Sequence, residues 1–161
     1  MDLSRYRPNV GVVLFHPDGR VWQGKRVAAP EPFRWQFPQG GVDEGEDLET
    51  AARRELAEET GAHSVTLMGR TDGWIAYDFP PDFVGTKGAR GWLGQKQVWF
   101  AFRFDGDEAE FDLAADVHPE FEDWRWGYLA EAPALVVPFK RASYEAVVRA
   151  FASFAAPAPN A

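Results

Sequence analysis

The stretch Gly40 to Ala62, GGVDEGEDLETAARRELAEETGA, constrains this chain more than any other. From Asp47 to Thr60 it reads as a helix: Asp47 offers an N-cap oxygen, Leu48, Ala51, Ala52 and Leu56 recur at helical spacing, and Gly61 supplies the stop. At about 100° per residue, Glu55, Glu58 and Glu59 project within a narrow arc that overlaps the apolar stripe instead of opposing it. A solvated charge face would lie on the other side.

Such crowding has a cost. Like charges three and four apart destabilise a helix by roughly 0.2–0.5 kcal/mol per pair, and carboxylates in the last turns meet the negative end of the dipole at roughly 0.3–1 kcal/mol each. Two arrangements offset this. The glutamates can be salt-bridged on an ordinary acidic amphipathic helix, or they can face a cleft and hold a hard divalent cation, Mg²⁺ or Mn²⁺, that a phosphate substrate shares.

The preceding loop bears on this choice. The spacing is Gly40-x5-Glu46-x7-Arg54-Glu55-Leu56-x-Glu58-Glu59-x-Gly61-Ala62, which resembles the signature of the Nudix hydrolases, with Ala62 where that family carries a bulky aliphatic. Gly40, Gly41 and Gly45 allow the loop to fold tightly against the helix and bring backbone carbonyls near an ion.

The 161 residues, 45% hydrophobic, are enough for one packed domain, expected over residues 1–156 with a frayed, proline-rich tail at 157–161. The absence of cysteine excludes disulfides and thiolate zinc sites. No apolar run reaches membrane-spanning length and MDLSRYRPN is not a signal peptide, so a cytoplasmic enzyme without a membrane partner is expected. The net charge of −8 argues against nonspecific nucleic-acid binding, DNA included, but not against recognition of one phosphorylated end. No obligate protein partner is expected.

Val10–Phe15 reads as a buried strand and Val21–Arg26 as its hairpin partner, with a loop at 27–34. Trp35 and Phe37 are expected in the core, and strands are expected near 64–68, 74–79 and 97–104. Residues 80–94 suggest either a substrate-facing loop or a plain surface loop, and the acidic patch 105–116 a solvated turn and short strand. Tyr144, Val147, Val148 and Phe151 mark an amphipathic helix over 143–154 that closes the core.

Five further motifs narrow the resemblance. Tyr6-Arg7-Pro8-Asn9-Val10-Gly11, Trp35-Gln36-Phe37-Pro38-Gln39-Gly40-Gly41, Gly94-Gln95-Lys96-Gln97, Pro119-Glu120-Phe121 with Trp124-Arg125-Trp126, and Phe139-Lys140-Arg141 occur in the order seen in bacterial RNA pyrophosphohydrolases, also known as dinucleoside polyphosphate hydrolases. The similarity spans about residues 5–154; the loop at 27–34 looks longer than usual and places Arg34 directly before Trp35. It implies an α/β/α sandwich around a central mixed sheet, whereas periodicity alone gives only mixed α/β.

The resemblance also implies roles. Glu55, Glu58, Glu59 and Glu120 become metal ligands, Arg54 orients a carboxylate of the helix, and Glu46 joins the second shell of the site or its metal network. Glu58 and Glu120 both qualify as the base. Arg7, Arg26 and Lys140 are phosphate contacts, and Phe139 lies near the 5′-terminal nucleotide. The implied substrate is a 5′-triphosphorylated RNA end or a dinucleoside polyphosphate such as diadenosine tetraphosphate. A nucleotide-binding module without turnover is a third option, against which the intact set Arg54, Glu55, Glu58 and Glu59 counts.

Overall fold

A computed structural model describes residues 2–159, so Met1 and the last two residues of the expected tail, Asn160 and Ala161, lie outside the described residues. Ten-residue β1 (Tyr6–Phe15) is buried along most of its length because its apolar run faces helices on both sides. It pairs in parallel with β7 (Gly94–Phe104), Tyr6 opposite Gly94 and Phe15 opposite Arg103. β5 (Val65–Arg70) and β6 (Ile75–Asp78) lie antiparallel to β7. β7 therefore starts three residues earlier than the sequence suggests, because Gly94, Gln95 and Lys96 pair with Tyr6, Arg7 and Pro8.

The expected hairpin is only partly formed. β2 (Val21–Arg26) touches β1 through a single pair, Phe15 with Val21, and then pairs with β8 (Phe121–Gly127) and with β3 (Trp35–Gln36). The reason lies on the edge of β1 that a hairpin would have used. β4 (Gln39–Gly41) pairs there with Asn9–Gly11, and Val12 N–H donates to the Pro38 carbonyl at 2.9 Å. The two halves of the sheet splay, and the strand carrying the glycine loop sits between them.

Two layers of core result. Val10, Val12, Leu14, Phe100 and Phe102 pack against Ala51, Ala52 and Leu56 of α1 (Leu48–Thr60). Val13, Phe15, Trp99 and Ala101 pack against Tyr144, Val147 and Phe151 of α3 (Arg141–Phe151), with the short α2 (Ala132–Leu135) beside it. This is the α/β/α arrangement. The expected helix over 143–154 starts two residues earlier and tightens into a 3₁₀ turn at Ala152–Phe154. None of the helices in the described residues is long and apolar enough to cross a membrane.

Trp35 departs from expectation. Phe37 is fully buried, but Trp35 lies on the edge strand β3, partly exposed, under the Arg125 guanidinium at 4.0 Å. The acidic patch also differs: it forms a 3₁₀ turn at Glu108–Glu110 and no strand. Phe111 anchors it against Trp22, Phe104, Trp124 and Trp126. The Glu110 carboxylate accepts from the main-chain N–H groups of His63 and Ser64, each at 3.0 Å.

Candidate active site

α1 has the caps its sequence specifies. Asp47 accepts from Thr50 N–H at 3.1 Å, and Gly61 closes the helix at φ 85°. Between those caps, Arg54 ties the helix to the loop before it. Its Nε and Nη2 fork the Glu46 carboxylate, both at 2.9 Å, and Nη2 also donates to the Gly41 carbonyl at 2.9 Å. Its Nη1 reaches Glu55 at 2.8 Å and Glu58 at 3.3 Å. Arg54 holds the Glu46 carboxyl down at about 2, chiefly by this hydrogen bonding and then with help from the Asp43 N–H.

The sheet, the loop and the helix enclose a polar cavity of about 310 Å³. Glu55 and Glu59 enter it from α1, and Asp116 and Glu120 from the segment leading into β8. Arg7 from β1, Arg26 from β2 and Lys140 from the turn before α3 bring three cations. Gln36, Gln39, Gln95 and Asn9 complete the lining. Among the described residues no ion pair joins these three cations to these four carboxylates; of the carboxylates, Glu55 is paired with Arg54 behind it.

Burial tunes the groups. Glu59 is buried, with only the Gln39 N–H at 3.3 Å on its carboxylate; desolvation, then the charges of Glu55 and Glu120, push its carboxyl well above the usual range. Burial also raises Glu55, against the pull of Arg54. Lys140 is 5% exposed, its Nζ 3.4 Å from the Gln36 amide oxygen, and desolvation followed by repulsion from Arg26 lowers it to about 8. Beneath the floor, Gln97 donates to Asn9 at 2.7 Å and to Gln39 at 3.2 Å while accepting from the Trp99 indole at 3.1 Å, a network that fixes the lining amides.

A family model, the NUDIX domain, matches residues 5–147. The chain belongs to the Nudix family. It is 69% identical over 156 residues to a protein of Caulobacter vibrioides named RNA pyrophosphohydrolase, covering 96% of this chain and 91% of that one. A protein of the same name from Rhodospirillum rubrum is 48% identical, over 96% and 92% of the two chains. The fold is that of the C. elegans Ap4A hydrolase (TM-score 0.64, 19% identity, 92% and 96% covered) and of the E. coli dihydroneopterin triphosphate pyrophosphohydrolase (0.64, 22%, 90% and 98%).

Nudix hydrolases use divalent cations, and the cavity suits one. Glu59 is a desolvated carboxylate among like charges, and a Cβ on Gly40 would fall 2.0 Å from the Glu55 carboxyl carbon, so the loop leaves room only for that carboxylate. Yet among the described residues no three His, Cys, Asp or Glu side chains stand close enough to enclose an ion by themselves. That matches Mg²⁺-type binding, which relies on one or two carboxylates and takes its remaining oxygens from water and substrate phosphate.

Not every anticipated residue of this Nudix chain lines the cavity. Glu55, Glu59, Glu120, Arg7, Arg26 and Lys140 do. Glu58 is half-exposed on the outer flank of α1, on Arg54, and Arg54 itself braces the site from behind. Phe139 lies in an adjoining recess of about 380 Å³ walled by Tyr77, Phe79 and Phe83, which shares Gln39, Gln95 and Lys140 with the cavity. Asp116 was missed, because four residues before Glu120 in an acidic run nothing sets it apart. Gln39 and Gln95, by contrast, stand within the quoted motifs.

Proposed function

We propose that this protein is an RNA pyrophosphohydrolase, which hydrolyses the phosphoanhydride of 5′-triphosphorylated RNA ends to leave a 5′-monophosphate and so promotes transcript decay in the cytoplasm. The observation that carries this reading is one cavity in which Arg7, Arg26 and Lys140 face the carboxylates of the Nudix helix and of the segment before β8. The choice of RNA rests on the relatives, at 69% and 48% identity over nearly the whole chain.

A triphosphate gathers negative charge on its leaving side as the anhydride bond breaks, and the three cations are positioned to bind and neutralise it. In the overall step water's oxygen bonds to phosphorus, the bridging oxygen leaves with the departing phosphates, and one water proton must be accepted. Glu120 is the carboxylate best suited to accept it. It lines the cavity and is exposed to water, whereas Glu58 is engaged by Arg54. Glu55 and Glu59 would hold Mg²⁺ or Mn²⁺. A bound divalent cation supplies charge neutralisation and a more acidic water. Gln39, fixed by Gln97, orients phosphate oxygens through its amide, and the Phe139 recess offers aromatic surface to a nucleobase.

The same recess would also suit the second nucleoside of a dinucleoside polyphosphate, which keeps that substrate class as the alternative. Side-by-side turnover of a triphosphorylated RNA oligonucleotide and diadenosine tetraphosphate with Mg²⁺ or Mn²⁺ decides between them. Preference for the RNA is expected, and cleavage of the dinucleotide alone would reject the RNA reading.

A further inference from the structure

Among the cavity cations, Arg26 sits where its strand is least regular. β2 shifts register against β8 between Lys25, opposite Asp123, and Arg26, opposite Phe121, and a bulge of this kind re-aims a side chain while leaving the ladder locally open. Its Nε is buried without a hydrogen-bond partner, so the polar contacts that locate this residue are those of its main chain.

Both of those contacts go to one residue. The Arg26 N–H donates to the Arg34 carbonyl at 2.7 Å, and the Arg26 carbonyl accepts from Arg34 Nη2 at 2.7 Å and Nε at 3.2 Å. The same guanidinium donates to the Val27 carbonyl at 3.2 Å, to Glu31 at 3.2 Å and to the Glu122 carboxylate on β8. One step along, Val27 N–H donates to the Glu120 carbonyl at 3.1 Å. The side chain of Arg34 is 16% exposed, and it joins the end of β2, both ends of the 27–34 loop and the start of β8. Those are the backbone joints that carry Arg26 and Glu120 to the cavity.

We propose that Arg34 is a positioning residue for substrate binding, fixing the bulge so that the Arg26 guanidinium is presented to the phosphates. This rests on the reading of Arg26 as a phosphate contact. A lysine could reach one of these acceptors, but only a guanidinium fork spans two consecutive carbonyls and a carboxylate at once. Loss of the fork leaves the core of the fold intact and loosens the bulge, which weakens binding more than it slows the bound complex.

The test compares Arg34→Ala, Arg34→Lys and, as reference, Arg26→Ala, by steady-state kinetics on triphosphorylated RNA with Mg²⁺, thermal melting, and a crystal structure of Arg34→Ala. Arg34→Ala is expected to raise KM about tenfold with kcat within about twofold, Arg34→Lys to recover part of that, and the Arg26 guanidinium to leave the cavity in the crystal. If Arg26→Ala raises KM while Arg34→Ala does not, the inference fails and the site reading stands. If Arg26→Ala leaves KM unchanged, the reading of Arg26 fails and takes the inference with it. A kcat that falls with the folded fraction at constant KM would reduce Arg34 to a loop staple and overturn the proposal. Should Arg34→Ala not fold, a wild-type KM in Arg34→Lys does the same. If the wild type does not turn over RNA, the position of Arg26 in the variant crystal decides, and an undisturbed guanidinium refutes it.

Discussion

Gly40 on β4 and Glu55 on α1 are in such close register that a Cβ at position 40 would lie 2.0 Å from the Glu55 carboxyl carbon and 2.1 Å and 2.3 Å from its oxygens. Arg54 Nη1 holds one of those oxygens from the other side at 2.8 Å, so Glu55 has nowhere to yield without breaking an ion pair. Gly40→Ala is therefore expected to lower kcat about a hundredfold, by displacing a carboxylate proposed to hold the cation, and to cost about 1–3 kcal/mol of stability by overpacking. Kinetics and urea unfolding check both. Wild-type turnover in this variant would remove Glu55 from the site.

Arg54→Lys keeps the charge and loses the fork that spans Glu46, Glu55 and the Gly41 carbonyl. Activity is expected to fall at least tenfold. The Glu46 carboxyl lies at about 2 in the folded protein against an ordinary 4.5, so the fold binds fewer protons than the unfolded chain. Its contribution is complete above pH 4.5 and is lost as pH falls toward 2. Glu110, held at about 2 by the His63 and Ser64 N–H groups, adds acid lability over the same window. The stability gap between wild type and Arg54→Lys should therefore narrow from pH 7 to pH 2.5, measured by denaturant titration. A gap independent of pH would mean that the fork does not hold Glu46.

Glu59 titrates in the opposite direction. Its folded pKa is raised, so ionisation disfavours the fold: the stability present below 4.5 is lost as pH rises toward the folded value. Glu59→Gln should melt higher than wild type at pH 7 in EDTA, should gain less from added Mg²⁺ or Mn²⁺, and should be nearly inactive. An equal metal-induced rise in melting temperature in both proteins would take Glu59 out of the ligand set.

Lys140 supplies a second pH signature. Its ammonium loses a proton near pH 8, against an ordinary 10.5, because the side chain is buried and repelled by Arg26. KM for the triphosphate should rise as pH passes through 8, and Lys140→Met should show a high KM without that dependence. The burial penalty is complete below pH 8 and relieved toward 10.5, so Lys140→Met should be more stable at pH 7 by about 1–3 kcal/mol. Identical pH profiles for KM in the two proteins would exclude Lys140 as a phosphate contact.

Much of this was legible beforehand for a local reason. Caps, helical spacing and the glycines before the helix act over a few residues, and α1 has the Asp47 and Gly61 ends that its sequence prescribes. The alternation of cores on the two faces of β1 and β7 follows from strand geometry in the same way.

Which charges share the cavity depended on packing across the chain. On the helix, Glu59 lies about 40° from Glu55 toward the Leu56 side, and Glu58 about 60° the other way, toward Arg54. Spacing places all three within one arc, and what covers each of them decides which is buried. β4 closes over Glu55 and Glu59, while Glu58 is left outside on Arg54. Asp116 enters because Phe111 anchors its segment, Arg26 because β2 abandons β1 for β8, and Lys140 because the turn before α3 brings it under Gln36. Short-range periodicity in the sequence determined the chemistry available along the helix. Long-range strand pairing and burial decided which of those charges lost their water, and desolvation is what gives the cavity its altered pKa values and its demand for a counter-charge.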